Sequence, residues 1–217
     1  INAVKKMKEN YGDQYPVMGW VEGAFAEAAD LRGVSELMMD IFDKPNKVRD
    51  LAEKCLESGI LFAKAQVEAG ADIIGVGDAV VSLLGPVIYD DMVFEYQKRL
   101  FAEIKKMGAV GRLHICGDTS SIVDKLAYTG ADIIDLDWMV DYEKAAIAFK
   151  GKAAPCGNFD PVSILLNGNP KSIREAINNI VKVGGDKSFV MAGCEIPVGI
   201  PDENLMAVAK TLDEIAD

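Results

Sequence analysis

Short apolar runs alternate along the chain with longer segments of helical period. The runs at 15–21 (YPVMGWV), 72–78 (DIIGVGD), 111–117 (GRLHICG), 132–138 (DIIDLDW), 152–158 (KAAPCGN) and 188–194 (SFVMAGC) have strand length and are mostly bounded by Gly, Asp or Asn. They predict six strands. Between them, residues 45–69 place Val48, Leu51, Ala52, Cys55, Phe62 and Val67 largely on one face, and residues 91–106 do the same with Val93, Leu100, Phe101 and Ile104. Both read as amphipathic helices. In NPKSIREAI, Asn169 can cap, Pro170 suits a first helical turn, and Ser172 with Glu175 offers an alternative capping box. PDENLMAVAKTL starts a last helix.

The pattern contains an internal echo: AGADIIGVGD (69–78) and TGADIIDLDW (129–138) share Gly-Ala-Asp-Ile-Ile. In each, a glycine ends a helix and a buried strand follows. Strands apolar on both faces, alternating with helices, predict a parallel sheet covered by helices, for which a doubly wound sheet and an eight-stranded barrel are the two solutions. Two features favour the (β/α)8 TIM barrel. Polar or reactive residues recur at the C-terminal ends of several strands, and no glycine-rich dinucleotide fingerprint follows any of them. A full barrel takes about 250 residues and eight strands. Six strands and a first residue other than Met predict an incomplete barrel lacking its first two units, with residues 1–217 forming a single barrel domain, the C-terminal part of a longer protein. The sheet should then be open between its first and last strands, and those edges make a homodimer across the gap an expectation.

Half of the 217 residues are hydrophobic, which is enough for a sizeable core. The 34 acidic and 23 basic residues leave a formal charge of −11, which argues against nucleic acid or an anionic membrane surface as partner. No apolar run reaches the roughly 18 residues of a membrane helix, and INAVKKMKEN lacks the apolar stretch of a signal peptide. The four cysteines are widely spaced, unlike a disulfide framework, so a reducing cytoplasm is expected.

The chain has a single histidine, His114, and Cys116 follows two positions later. In an extended strand these two side chains share a face. Cys194, at the end of the last predicted strand, would reach the same barrel mouth. One nitrogen and two thiolates form a catalytic zinc arrangement that leaves a fourth position open. Glu22 and Asp78, at other strand ends, either orient a ligand at that position or cap a following helix. Glu195 faces away from Cys194 in a regular strand but toward the site if the strand end bulges. Asp118 and Thr119 read as caps. Cys55 lies on the apolar face of a helix and reads as core; Cys156 either packs or sits near the metal.

HICGDT, followed much later by AGCEIP, with GADIIDLDW and CGNFDP between them, resembles the zinc-dependent corrinoid methyltransferases of the uroporphyrinogen decarboxylase superfamily. The resemblance implies Zn²⁺ on His114, Cys116 and Cys194 at the mouth of a barrel, with Asp137 and Asn158 lining the cofactor side of the pocket. It also implies methyl transfer between methylcobalamin on a corrinoid protein and a small molecule, either a thiol of the coenzyme M kind as acceptor or a methoxylated or methylamine compound as donor. Glu22, Asp78 and Glu195 are then the candidate catalytic carboxylates. Uroporphyrinogen decarboxylation is the rival activity. AGCEIP stands where decarboxylases have a histidine-bearing loop, GAFAEAADLRG offers no counterpart to their tyrosine, and the decarboxylases need no metal. A structural zinc site is the non-enzymatic rival, and would ordinarily close the metal with a fourth protein ligand.

Overall fold

A computed structural model describes residues 1–216. Its elements in chain order are α1 (Asn2–Tyr11), β1 (Met18–Glu22), α2 (Ala24–Arg32), α3 (Val34–Asp43), α4 (Pro45–Glu68), β2 (Ile73–Gly77), α5 (Pro86–Met92), α6 (Phe94–Lys106), β3 (Val110–His114), α7 (Val123–Leu126), β4 (Ile133–Asp135), α8 (Tyr142–Phe149), β5 (Ala154–Phe159), α9 (Pro170–Gly184), β6 (Phe189–Ala192) and α10 (Asp202–Ala216). The six strands form one sheet in the order β1-β2-β3-β4-β5-β6, and every neighbouring pair is parallel. Among the described residues β1 and β6 do not pair. The architecture is an α/β barrel left open between its first and last strands.

The Gly-Ala-Asp echo has a local cause. Gly70 and Gly130 take positive φ (106° and 89°), which reverses the chain at a helix end at no steric cost. The aspartate that follows each reaches sideways to the entry of the preceding strand: Asp72 accepts from Val17 N at 2.8 Å, and Asp132 accepts from Gly111 N at 2.9 Å. The motif thus both turns the chain and sets the start of the strand pairing.

The outer face of the sheet is apolar and covered by helices, with Val21, Ile74, Val76, Leu113 and Ile134 buried against them. The inner face carries the polar side chains Glu22, Arg112, His114 and Asp135, and Met18, Trp20, Val110 and Phe189 are exposed there. The edge of β1 that faces away from β2 is covered by one side chain of α4. Gln66 accepts from Trp20 N at 3.0 Å and donates to Trp20 O at 2.9 Å, satisfying a peptide group that would otherwise be an open edge. Bidentate pairs of Arg49 with Asp91 and of Arg99 with Glu53 fasten α4 to the α5–α6 hairpin.

The six expected strands are present but mostly shorter. The expected helix at 91–106 instead begins after a break at Val93, where φ is −123° and ψ −47°. Asn169 caps α9 as expected, in a capping box with Ser172, and the alternative box of Ser172 with Glu175 does not form. Helices α1, α2 and α3 were not among the expected elements. No described helix is long and apolar enough to cross a membrane.

Candidate metal centre

Three donors meet at the C-terminal ends of β3 and β6. His114 is the last residue of β3, and its Nε2 lies 3.0 Å from Cys116 Sγ; Cys194 Sγ lies 2.9 Å from the same sulfur. The ligand atoms of all three residues fall within 4.8 Å of one another, a span one ion can bridge. Their chemistry, one imidazole nitrogen and two sulfurs, is a set that zinc accepts. Burial, reinforced by the neighbouring Cys194 sulfur, pushes the Cys116 thiol up to about 12, so this sulfur stays protonated near neutral pH unless a cation is close.

Backbone geometry brings the sulfurs together. β3 ends at His114, so Cys116 sits in the turn that follows, and Gly117 N in that turn donates to Asp137 Oδ2 at 2.7 Å. On the other side, β6 ends at Ala192 and Gly193 N donates to Phe159 O at 3.0 Å. Gly193 lies flat on the turn after β4: a Cβ there would come within 3.0 Å of the Asp137 carbonyl carbon and 3.1 Å of Trp138 Cα. Only glycine lets the Cys194 turn settle this close.

The structure separates the other expected site residues by position. Glu22 ends β1 on the same inner face: in the parallel register it stands beside Gly77, and Gly77 stands beside His114. Trp20 Nε1 donates to Glu22 Oε1 at 2.9 Å, and the Trp20 ring lies 6.1 Å from the His114 ring. Glu195 is exposed just beyond Cys194, where its charge helps to raise the Cys116 thiol. Asp137 is buried and accepts from Gly117 N and, at 2.6 Å, from Trp138 N; it orients the loop that carries Cys116. Asn158 donates to Asp137 O at 3.0 Å and Val140 O at 2.8 Å, fixing the turn after β4. Asp78 is fully buried, accepting from Ala26 N at 2.9 Å and from Gln97 Nε2 at 2.8 Å. It therefore caps α2, a helix preceding it in the chain, where sequence pointed to a helix following it. Asp118 closes a turn onto Ser120 N at 2.9 Å and does not cap α7.

Cys55 and Cys156 are both buried, and burial raises both thiols. Cys156 lies 3.7 Å from Arg112 Nη2 on the inner face. Arg112 and its partner Asp135 were overlooked in the sequence, although a signal existed. Arg112 shares strand parity with His114, and Asp135 is a charge inside an otherwise apolar strand. A cavity of about 530 Å³ lies at the opposite ends of the strands, bounded by Lys150, Ala153, Lys182 and Lys187, and contains none of the site residues.

A family model described as uroporphyrinogen decarboxylase (URO-D) matches residues 1–215. The methylcobamide:CoM methyltransferase MtbA of Methanosarcina mazei is 32% identical over 212 residues, which cover 97% of this chain and 61% of that protein. A uroporphyrinogen decarboxylase of Prochlorococcus marinus is 28% identical over 215 residues, covering 95% and 60%. Among solved structures, a methyltransferase from Methanosarcina mazei superposes with a TM-score of 0.90 at 26% identity, over 99% of this chain and 63% of that one. A B12-independent methionine synthase from Shewanella shares the fold, with a TM-score of 0.70 at 14% identity over 99% of this chain and 67% of that one. The chain thus spans about three fifths of the length of the first of these relatives (61%). With the match running from residue 1 to residue 215, the chain belongs to the uroporphyrinogen decarboxylase family.

Proposed function

We propose that this chain carries the zinc-binding part of a methyltransferase active site, which moves a methyl group between a corrinoid carried by a partner protein and a small molecule. The observation that supports it is the convergence of His114, Cys116 and Cys194 within 4.8 Å. The likeness to a methylcobamide:CoM methyltransferase at 32% identity makes a thiol of the coenzyme M kind the preferred methyl acceptor. Zinc bound by this set supplies a Lewis acid that holds sulfur as thiolate near neutral pH, the nucleophilic form required to accept a methyl group.

The chain's own residues prepare the place. His114, Cys116 and Cys194 would hold the ion with three donors, and a fourth position would be open to substrate. Glu22, aimed by the Trp20 indole, and exposed Glu195 are the carboxylates that flank it, and can take or return the proton of an incoming thiol. Asp137 and Asn158 set the loop that bears Cys116 and form the wall on the β4–β5 side. Asp78 serves the site indirectly, by fixing α2 behind Glu22.

Decarboxylation of a tetrapyrrole needs no pair of sulfurs beside a histidine, so the donor set favours methyl transfer within this family. The test is zinc content together with methyl transfer from methylcobalamin to coenzyme M, measured on the native enzyme and on Cys194→Ala. The reading expects one zinc per chain and loss of both zinc and transfer in the variant. Retention of both would overturn it.

A further inference from the structure

Behind the donor triad the inner face holds a buried ion pair. Arg112 Nε donates to Asp135 Oδ1 at 2.8 Å and to Oδ2 at 3.1 Å, and the Asp135 side chain is only 2% exposed. The same Oδ2 lies 3.0 Å from His114 Nδ1. The register explains the meeting: Arg112 and Leu113 stand beside Ile133 and Ile134, so one step further His114 stands beside Asp135. Arg112 continues across the concave face, and its Nη2 lies 2.7 Å from Met191 Sδ on β6, the strand that leads to Cys194.

An ionised carboxylate has no hydrogen to give. A hydrogen bond between Asp135 and His114 therefore places the proton on Nδ1 and leaves the Nε2 lone pair bare, and Nε2 is the atom that faces Cys116 and Cys194. Arg112 is what aims the carboxylate in so enclosed a place, gripping both of its oxygens from the β3 side. Its reach to β6 also braces the strand that delivers the second sulfur.

We propose that Asp135, held by Arg112, is the positioning residue of the metal centre: it fixes the tautomer and direction of His114 so that Nε2 is presented to the ion before the ion arrives. The inference rests on the metal-centre reading above and adds to it a pre-formed support outside the three donors. Carboxylates in this relation to a metal-binding imidazole raise affinity by about 10- to 100-fold. Asp135 does not itself join the donor set, because its oxygens are already engaged by Arg112 and His114.

Because the chain has one histidine, its ring nitrogens give an unambiguous NMR signal. In the metal-free protein, ¹⁵N spectra should show the Nδ1–H tautomer for wild type and a shift toward Nε2–H for Asp135→Ala. Zinc affinity, measured by competition with a chelator, should fall about 10- to 100-fold in Asp135→Ala, and Asp135→Asn, which keeps an acceptor for Nδ1–H, should restore the tautomer and part of the affinity. If Asp135→Ala fails to fold because Arg112 is left unpaired, the double variant Arg112→Met with Asp135→Leu removes both charges at similar volume and is read in the same two ways. An unchanged tautomer with zinc affinity within about twofold of wild type, in either variant, overturns the proposal. Should wild type bind no zinc, the metal-centre reading fails, while the metal-free tautomer still decides whether Asp135 sets His114.

Discussion

Gln97 donates to Asp78 at 2.8 Å inside the core, and the carboxylate it serves is fully buried. Burial raises Asp78 from 3.8 to about 6, against the opposing pull of its hydrogen bonds from Gln97 and Ala26 N. Between these two values the native protein holds a proton that the unfolded chain has released. Stability from this group is therefore fully present below the lower value and lost as pH rises through the higher one. Urea denaturation of wild type minus Asp78→Asn should show this fall between about pH 4 and pH 6, on the order of 3 kcal/mol. A difference that stays flat across that window contradicts the assignment.

Zinc should stabilise the folded chain, because only the native state holds the three donors together. A thermal melt with zinc should end higher than one with chelator, and Cys194→Ala should lose most of that gap. Equal shifts in both proteins would place the stabilising zinc elsewhere.

Gly77 separates Glu22 from His114, and its missing side chain is the space the Trp20 ring occupies. A Cβ there would come 2.8 Å from the ring and 2.9 Å from Glu22 Oε2. Gly77→Ala should cost about 1–3 kcal/mol through overpacking and shift the emission of one of the two tryptophans. An unshifted spectrum with unchanged stability would mean that the ring is not held over this position.

Gln66→Ala should expose the Trp20 peptide at the edge of β1, at a cost of about 1–3 kcal/mol for the groups left unsatisfied. The freed edge should also promote association, read as higher light scattering at the same concentration. Gln66→Glu keeps the acceptor for Trp20 N but loses the donor, and should fall between the two.

The sequence makes the sheet legible because every strand but its ends is an apolar run of fixed parity. Its ends are not legible. The apolar run at 132–138 continues through Leu136 and Asp137, but the ladder stops at Asp135, because Asp137 turns its carboxylate back to Gly117 N and Trp138 N. The three donors could be found since His-x-Cys reads from sequence as one strand face; in the structure β3 ends at His114 and Cys116 lies just beyond it, yet its sulfur still comes 3.0 Å from His114 Nε2. Asp135 escaped notice because its importance depends on a register between two strands that no local pattern states. Asp78 looked like a mouth residue from its place at a strand end; the α2 backbone that it serves comes much earlier in the chain. Helix α2 was missed because this alanine-rich segment shows no apolar stripe; α3 does carry one, through Leu37 and Ile41, and was passed over.

The strand order repeats the chain order, so each unit can dock on the one before it. The donor set spans much further, joining Cys116, just after β3, to Cys194, just after β6, 78 residues apart. On the metal-centre reading, uptake of an ion would have to wait for the last strand to arrive. During synthesis or refolding the centre should therefore mature after most amides of β1–β4 are already protected from exchange, and a chain halted before Cys194 would possess most of its sheet and no competent site.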